Sequence, residues 1–350
     1  MKIILDGMGG DHAPDEIVKG AVMALKADKN LKVVVTGDKE KIEGVLHCGG
    51  HGGKPLEYDS SRLEIVHCTE IITNDDAPTL AIRQKKDSSL VVALKMLKED
   101  EEAKGLVSAG STGAVLTGAL LRVGRIRGIT RPAVCPVLPT ATGGKVLLVD
   151  AGANAECKPV NMVHFAIMGT AYARAGFGVE KPRVGLVTNG TEEHKGDPLH
   201  QETFQLLKKL DCINFVGNVE GRDIMGGDID VAVCDGFSGN IALKTTEGTA
   251  LAVMKIIKQN IMSSFSAKIG YLFMRKAFKN IKRALDYSKY GGAVLIGIDK
   301  VVVKSHGSSK ADSICASLLQ AKEAAENNLT DSIKNLLSEV DLEGLEVNEG

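Results

Sequence analysis

The sequence predicts a doubly wound α/β fold with a mostly parallel sheet. Short apolar runs rich in β-branched residues recur along the chain, and amphipathic stretches with helical spacing separate most of them. Continuous apolar runs of this kind are typical of parallel strands covered by helices on both faces. In addition, five of the runs end in clusters of small polar residues, as strands do where a ligand binds at the edge of such a sheet.

The predicted elements follow from these patterns in order. The strands are expected at 2–5, 31–35, 63–66, 105–107, 146–149, 183–187, 215–216 together with Asn218, 231–234 and 293–297, and the helices include 17–26, 89–98, 160–175 and 199–210. We find no repeat and no clear linker, so we predict one catalytic α/β domain over 1–333. The Gly-rich segment 48–62 is expected to be a surface insertion, and the acidic tail 334–350 is expected to fray.

The composition excludes several classes of protein. Hydrophobic residues make up 44% of the 350 residues, charged residues 25%, and the net charge is −1, which is typical of a soluble globular protein without a general attraction to nucleic acid. Aromatic residues make up only 4%, so no base-stacking surface is expected. The seven cysteines show no CxxC motif, which favours free thiols in a reducing cytoplasm. We predict neither a signal peptide nor a membrane-spanning segment.

Five polar loops follow predicted strands, at 5–15, 107–120, 149–159, 187–198 and 235–240. Glycine lets the backbone approach a ligand closely, and the free N–H groups at a helix start favour an anion. One such loop is most often only a helix cap. Five at one edge predict a pocket for a phosphate-like group.

The first loop does not support a nucleotide or a metal. It begins Gly7-Met8-Gly9-Gly10, but His12 stands where G-x-G-x-x-G needs its third glycine, and the chain has no P-loop motif. Acidic residues at a first helical turn are explained by capping, so we expect no metal.

Long motifs in a fixed order carry a resemblance to a known family. They are DGMGGDHAP, SAGSTGA, RPA (131–133), NGTEEHKGDPLHQE, GNVEGRDI and DGFSGNIALKTTEG, and they extend from residue 1 to about residue 330. Together they resemble the PlsX family of phosphate acyltransferases. The resemblance implies transfer of a fatty acyl group from an acyl carrier protein thioester to inorganic phosphate, yielding acyl phosphate for phospholipid synthesis. It also implies a homodimer, no organic cofactor, and a fold similar to that of isocitrate/isopropylmalate dehydrogenases and phosphotransacetylase.

Two residues of these motifs are predicted to be catalytic. The ammonium group of Lys195 can neutralise phosphate or the developing oxyanion, and the amide of Asn240 can donate a hydrogen bond to either. Their ordinary alternatives are a solvated loop lysine and a helix cap. The further candidates for binding phosphate or substrate are Asp6, Gly9, Gly10, His12, Ser111, Thr112, Gly113, Asn154, Asn189, Asp235, Ser238 and Gly239. We expect phosphate among the loops that contain 111–113, Lys195 and 238–240.

Segment 248–285 predicts a protruding pair of amphipathic helices, with eight basic and no acidic residues. It suits a dimer interface, and it equally suits contact with an anionic membrane or an acidic carrier protein. The candidate contact residues are Arg122, Arg125, Leu272, Phe273, Lys276, Lys279 and Arg283. We expect a cytoplasmic protein that associates peripherally with the inner face of the cell membrane. The family resemblance suggests a downstream glycerol-3-phosphate acyltransferase as a further candidate partner, but the sequence does not show whether it docks.

Three other functions stay open on the sequence. A nicotinamide-dependent decarboxylating dehydrogenase has a similar fold, but it needs a cluster of metal-binding carboxylates that the sequence does not assemble. An acyltransferase that resembles phosphotransacetylase would use acyl-CoA in place of the carrier protein. A non-catalytic membrane scaffold explains the basic helices but leaves the five polar loops without a role.

Overall fold

The computed structural model describes residues 1–50, 53–284 and 287–340. Within these residues the chain forms twelve strands. They are β1 (Lys2–Asp6), β2 (Lys32–Gly37), β3 (Leu63–His67), β4 (Ala103–Ser108), β5 (Ala133–Cys135), β6 (Val137–Pro139), β7 (Lys145–Val149), β8 (Arg183–Thr188), β9 (Asn214–Glu220), β10 (Val231–Val233), β11 (Ala293–Ile296) and β12 (Val301–Lys304). The predicted α/β class is confirmed.

The helices lie between these strands in the chain. They are α1 (Asp15–Ala27), α2 (Lys39–Cys48), α3 (Pro78–Gln84), α4 (Ser89–Glu99), α5 (Thr112–Gly118), α6 (Pro159–Phe177), α7 (Pro198–Leu207), α8 (Gly236–Ser263), α9 (Phe265–Ala284), α10 (Ala311–Glu326) and α11 (Leu329–Ser338).

The strands form two sheets, whereas the sequence predicted one. A seven-stranded sheet has the order β3-β2-β1-β4-β12-β11-β5, and a five-stranded sheet has the order β6-β7-β10-β8-β9. Most pairs are parallel, but β6 pairs antiparallel with β7, and β11 pairs antiparallel with both β12 and β5. All nine predicted strands are present. The strands β5, β6 and β12 were not predicted.

Both faces of the seven-stranded sheet are buried, as the continuous apolar runs predicted. In β1, Ile3 and Leu5 belong to one hydrophobic cluster and Ile4 belongs to the other. Helices α1 and α10 pack against each other very closely, because a Cβ atom added at Gly20 would lie 2.5 Å from Cβ of Ile314. Only a residue without a side chain fits this crossing.

The two sheets meet where the chain passes from β5 to β6 through Pro136. The backbone N–H of Leu148, in β7, donates to the carbonyl of Pro136 at 3.2 Å, and that of Ala151 donates to the carbonyl of Val134 at 2.8 Å. The carboxyl end of β7 therefore lies against β5 of the other sheet.

Helices α8 and α9 form the predicted basic pair. Several large apolar side chains on them are exposed, among them Leu251 at 71%, Phe265 at 79% and Phe273 at 86%. Among the described residues no helix is long and apolar enough to cross a membrane.

Two predicted segments lie partly outside the described residues. Helix α11 runs past residue 333 and buries Leu336 and Leu337, so the tail that was expected to fray from 334 is ordered and packed as far as this helix extends. Residues 341–350 lie outside the described chain. In the 48–62 segment, residues 51 and 52 are not described, and most of the others are exposed.

Candidate active site

A polar cavity of about 230 Å³ lies where the two sheets meet. Side chains and backbone from both sheets line it. The polar and charged contributors are Thr112 at the start of α5, Asn240, Lys244 and Glu247 on α8, and Lys304, Ser305 and His306 at the end of β12. This is the arrangement expected of an α/β protein, in which ligands bind outside the carboxyl ends of the strands.

Lys304 is the most buried cation of this cavity. Its residue is only 9% exposed, and burial lowers the pKa of its ammonium group to about 8, assisted by the positive charge of Lys244 and opposed by Asp11. The Nζ atom donates to the carbonyl of Ser305. A buried ammonium group with one backbone partner is a strong site for an anion, because the anion would compensate the lost hydration.

Lys244 and His306 form a second polar group at the cavity. Lys244 Nζ donates to Glu247 Oε2 at 2.7 Å and lies 3.4 Å from Nε2 of His306. Burial, together with the charge of Lys244, lowers the pKa of His306. The imidazole is therefore neutral near pH 7, in the form that can accept a proton.

The first loop is built around a buried carboxylate. Asp6 accepts hydrogen bonds from Ser89 Oγ at 2.6 Å, Ser108 Oγ at 2.7 Å and the N–H of Met8 at 3.3 Å. Burial raises the pKa of Asp6, and the two hydroxyl donors oppose that rise. A Cβ atom at Gly9 would lie 2.7 Å from the nitrogen of Gly110. Asp6 and Gly9 thus join the first loop to the loop after β4.

The first loop also contacts the loop that follows β12. Gly10 has a φ of +100°, which favours glycine, and the next residue, Asp11, donates its N–H to the carbonyl of Gly307 at 2.8 Å. His12 is exposed and is not among the side chains that line the cavity. The first loop therefore packs against the loop that follows β12, and His12 does not line the cavity.

The loop after β4 contributes Thr112 to the cavity. Ser111 is the N-cap of α5, and its Oγ accepts from the N–H of Ala114 at 3.2 Å. Gly113 lies against Pro78, where a Cβ atom would come within 2.8 Å of the ring. Of these three predicted residues, one faces the cavity and two build the helix start.

Asp150, which was not among the predicted site residues, connects the loop after β7 to strand β5. Its carboxylate accepts from the N–H groups of Val134, Gly152, Ala153 and Asn154. It is fully buried, and burial raises its pKa against the effect of these donors. The predicted residue Asn154 uses its amide to donate to the carbonyl of Pro132 at 2.8 Å.

The start of α8 presents Asn240 to the cavity. Asp235 caps the helix, accepting from the N–H groups of Phe237 at 3.0 Å and Ser238 at 2.9 Å. Gly239 lies directly on the backbone after β7, where a Cβ atom would be 1.9 Å from the carbonyl oxygen of Asp150. Asp235 and Gly239 therefore position Asn240. The N-cap of α8 is Asp235, and Asn240, for which capping was the alternative, lines the cavity.

Lys195 lies on the neighbouring loop and is not among the described residues that line the cavity. Its side chain covers Gly190, where a Cβ atom would be 2.8 Å from Cγ of the lysine. The amide oxygen of Asn189 accepts from the N–H of Gly196 at 3.0 Å, which closes the loop. The loop adjoins α8, since Nε2 of His200, in α7, lies 4.0 Å from the carboxylate of Asp235.

Lys304 and His306 were not among the predicted site residues. They belong to the stretch VVVKSHGSS (301–309), an apolar run followed by small polar residues. This is the same signal that identified the other five loops.

The predicted contact residues lie at two places. Arg122 donates to the carbonyl of Ile82 at 2.8 Å, and Arg125 donates to the carbonyl of Thr130, so both guanidinium groups also hold backbone. On α9, Leu272 is 68% exposed. Lys276 and Lys279 are on the same helix, and the side chain of Arg283 lies outside those described.

The described residues bring no three His, Cys, Asp or Glu side chains together as a metal site.

Known proteins resemble this chain over nearly its whole length. A family model described as fatty acid synthesis protein matches residues 1–332. The phosphate acyltransferase of Clostridioides difficile (strain 630) is 46% identical over 338 residues, covering 97% of this chain and 96% of that protein. The phosphate acyltransferase of Thermoanaerobacter pseudethanolicus is 46% identical over 334 residues, covering 95% and 96%.

Solved structures share the fold at low identity. A phosphotransacetylase from Streptococcus pyogenes matches with a TM-score of 0.60 and 18% identity, covering 93% of this chain and 94% of that one. A branched-chain phosphotransacylase from Enterococcus faecalis V583 matches with a TM-score of 0.55 and 14% identity, covering 92% and 99%. These likenesses confirm the fold. The family model and the relatives show more: the chain belongs to the PlsX family of phosphate acyltransferases and is an acyltransferase.

Proposed function

We propose that this protein transfers a fatty acyl group from the thioester of acyl carrier protein to inorganic phosphate, forming acyl phosphate for phospholipid synthesis. The observation that carries the proposal is the cavity in which Lys304, His306, Thr112 and Asn240 come together from both sheets. The cationic side chains of Lys304 and Lys244 and a neutral imidazole suit a small dianion, and the amide of Asn240 can donate a hydrogen bond to an oxyanion.

The reaction needs no covalent enzyme intermediate. Lys304 and Lys244 hold phosphate, and one phosphate oxygen attacks the thioester carbon. A C–O bond forms, and the carbonyl electron pair moves onto oxygen, where the amide of Asn240 donates to it. The oxyanion then collapses and the C–S bond breaks. His306 takes the proton from the attacking phosphate and passes it to the thiolate, which leaves as the free thiol of the carrier.

We propose that the ammonium group of Lys195 interacts with the acyl carrier protein thioester as it binds. Its loop adjoins the start of α8 through His200 and Asp235, one helical turn before Asn240. The charge of Lys195 favours an anionic group that arrives with the donor. It remains our candidate for a catalytic side chain together with Asn240.

The carrier protein as donor is supported by charge. Acyl carrier protein is acidic, and the α8–α9 pair is basic, so the two surfaces are complementary. The exposed apolar residues of these helices, such as Phe265 and Phe273, also suit burial against a second copy of the chain or an anionic membrane. We therefore propose a homodimer that binds the membrane surface peripherally.

One assay tests the reaction. Enzyme, acyl carrier thioester and phosphate are mixed, and thioester loss is followed with and without phosphate. We expect phosphate-dependent loss that falls strongly in Lys195→Ala and Asn240→Ala and is unchanged in Lys209→Ala, which alters an exposed lysine after α7. Thioester loss without phosphate, or full activity of both site variants, contradicts the proposal. Faster reaction with acyl-CoA would identify a phosphotransacetylase-like donor, and reduction of a nicotinamide would identify the dehydrogenase.

A further inference from the structure

A second cavity, of about 350 Å³, lies beside the polar one. Its walls come from three elements: Leu138 and Pro139 in β6, the turn after β9 with Met225, and the face of α8 that carries Thr246, Ala250 and Val253. Most of these side chains are apolar or end in a methyl group. The cavity therefore suits a hydrocarbon rather than a phosphate.

The two cavities are neighbours along a shared wall. Glu247 lines both of them, and in β6 Val137 lines the polar cavity while the next residue, Leu138, lines the apolar one. At this wall the carboxylate of Glu247 is only 12% exposed and is held by Lys244 at 2.7 Å. Arg222 also lines the second cavity, but its side chain is 80% exposed, so its charge is in contact with water. The buried part of this cavity is apolar beyond Glu247.

We propose that the apolar cavity binds the acyl chain of the thioester and that its walls set the preferred chain length. This inference rests on the proposed function, because it takes the thioester as the substrate. A fatty thioester has a polar reacting end and a long apolar end. If the carbonyl group lies beside Asn240 in the polar cavity, the acyl chain can extend past Glu247 into the apolar cavity. The chain is then separated from the charges of Lys304 and Lys244.

The energetics favour this path. Each methylene group that moves from water into an apolar cavity raises the affinity of the ligand about fourfold, which corresponds to about 0.8 kcal/mol. The cavity volume is at the lower end of the range for small-molecule sites, which suits a single hydrocarbon chain. Ala250 and Val253 stand one turn apart on α8, and Met225 faces the cavity from another element, so these residues fix its width.

Two substitutions on different walls test the proposal. Ala250→Phe fills the cavity, and Met225→Ala enlarges it. Ala252→Phe makes the same change as the first on the same helix, at an exposed residue that lines neither cavity. For each variant, kcat/KM is measured over a homologous series of saturated acyl thioesters at saturating phosphate, and KM for phosphate is measured with the shortest thioester.

The expected shifts have opposite signs. Ala250→Phe should lower the ratio of long-chain to short-chain kcat/KM by about tenfold or more, the loss of about two bound methylenes. Met225→Ala should move the optimum toward longer chains. Ala252→Phe should leave the profile unchanged, and KM for phosphate should stay the same in all three variants.

The outcomes separate the inference from the function. If the wild type shows no phosphate-dependent thioester loss, the proposed function is wrong and the inference falls with it. If the wild type is active but both wall variants keep its chain-length profile, or lose activity equally at every length, the acyl chain binds elsewhere. If Ala250→Phe fails to fold, Met225→Ala alone tests the inference. A shift of the preferred acyl chain length toward longer chains supports it, and no shift or a shift toward shorter chains contradicts it.

Discussion

The carboxylate of Asp150 accepts a hydrogen bond of 2.8 Å from the backbone N–H of Val134, and this bond joins the two sheets. Asp150 follows β7 in the five-stranded sheet, whereas Val134 lies in β5 of the seven-stranded sheet. The N–H of Ala151 returns a bond of 2.8 Å to the carbonyl of Val134. Because the polar cavity lies at this junction, its shape depends on a residue that does not line it.

Replacing Asp150 by alanine should weaken the junction. The substitution removes the acceptor of four buried or half-buried N–H groups, and each unpaired buried donor costs about 1–3 kcal/mol. We expect the free energy of unfolding to fall by about 3 kcal/mol or more. Urea denaturation measures this against Asp75→Ala, a change at an exposed aspartate. Equal midpoints for the two variants would contradict the role of the junction.

Lys304→Met should stabilise the protein while it abolishes phosphate-dependent turnover. The folded-state pKa of Lys304 is about 8, below its ordinary 10.5, so burying the charged form costs stability below pH 8. That cost disappears as the pH rises through the window from about 8 to 10.5. At pH 7 the gain from methionine should therefore reach at most about 3 kcal/mol.

Thermal unfolding with and without phosphate checks this expectation. Lys310→Met, at an exposed lysine after β12, is the matched control and should change neither stability nor turnover. A Lys304→Met variant that is less stable than the wild type, or that retains full turnover, would show that the ammonium group is structural.

The kcat/KM for phosphate should fall as the pH rises through about 8. Lys304 loses its proton there, because burial and the charge of Lys244 lower its pKa against the opposing effect of Asp11, and the neutral amine attracts phosphate less. In Lys304→Arg the charge persists to higher pH, because guanidinium does not deprotonate in this range. We expect kcat/KM for phosphate to fall above pH 8 in the wild type and less steeply in the variant. Identical pH profiles would assign the fall to another group.

Phe273→Glu should release the protein from anionic vesicles. The side chain is 86% exposed on α9, so the change removes apolar contact and adds charge repulsion at the lipid surface. Co-sedimentation with vesicles that contain an acidic lipid measures the effect. Val216→Glu, at a 48% exposed residue of β9, is the control and should bind as the wild type does. Unchanged binding of Phe273→Glu would favour packing of this face against protein.

The sequence predicted the fold class well because buried parallel strands are continuous apolar runs. In β10, Val231, Ala232 and Val233 are fully buried, and the run ends at the cap of α8. The division into two sheets was not predictable in this way. It depends on which strands pair, and the crossing at Pro136 lies within residues whose runs are too short to be identified.

The candidate site was predicted in part, and the reason is chemical. Thr112 and Asn240 line the cavity. The polar atoms of Asp6, Asn154 and Asp235 instead form hydrogen bonds with the backbone and with neighbouring side chains. A small polar residue after a strand can bind a ligand or close a loop, and both uses leave the same pattern in the sequence. Lys304 was missed because its value as a ligand comes from burial, which only the packed structure reveals.

The central position of β12 has a consequence for biosynthesis. This strand inserts between β4 and β11, and it carries Lys304 and His306 into the cavity although it is made from residues 301–304 of 350. A chain still emerging from the ribosome can form its first strands early, but it cannot assemble the anion-binding cavity until residues 304–306 have been made. Products that end before β12 are therefore expected to be catalytically silent rather than partly active.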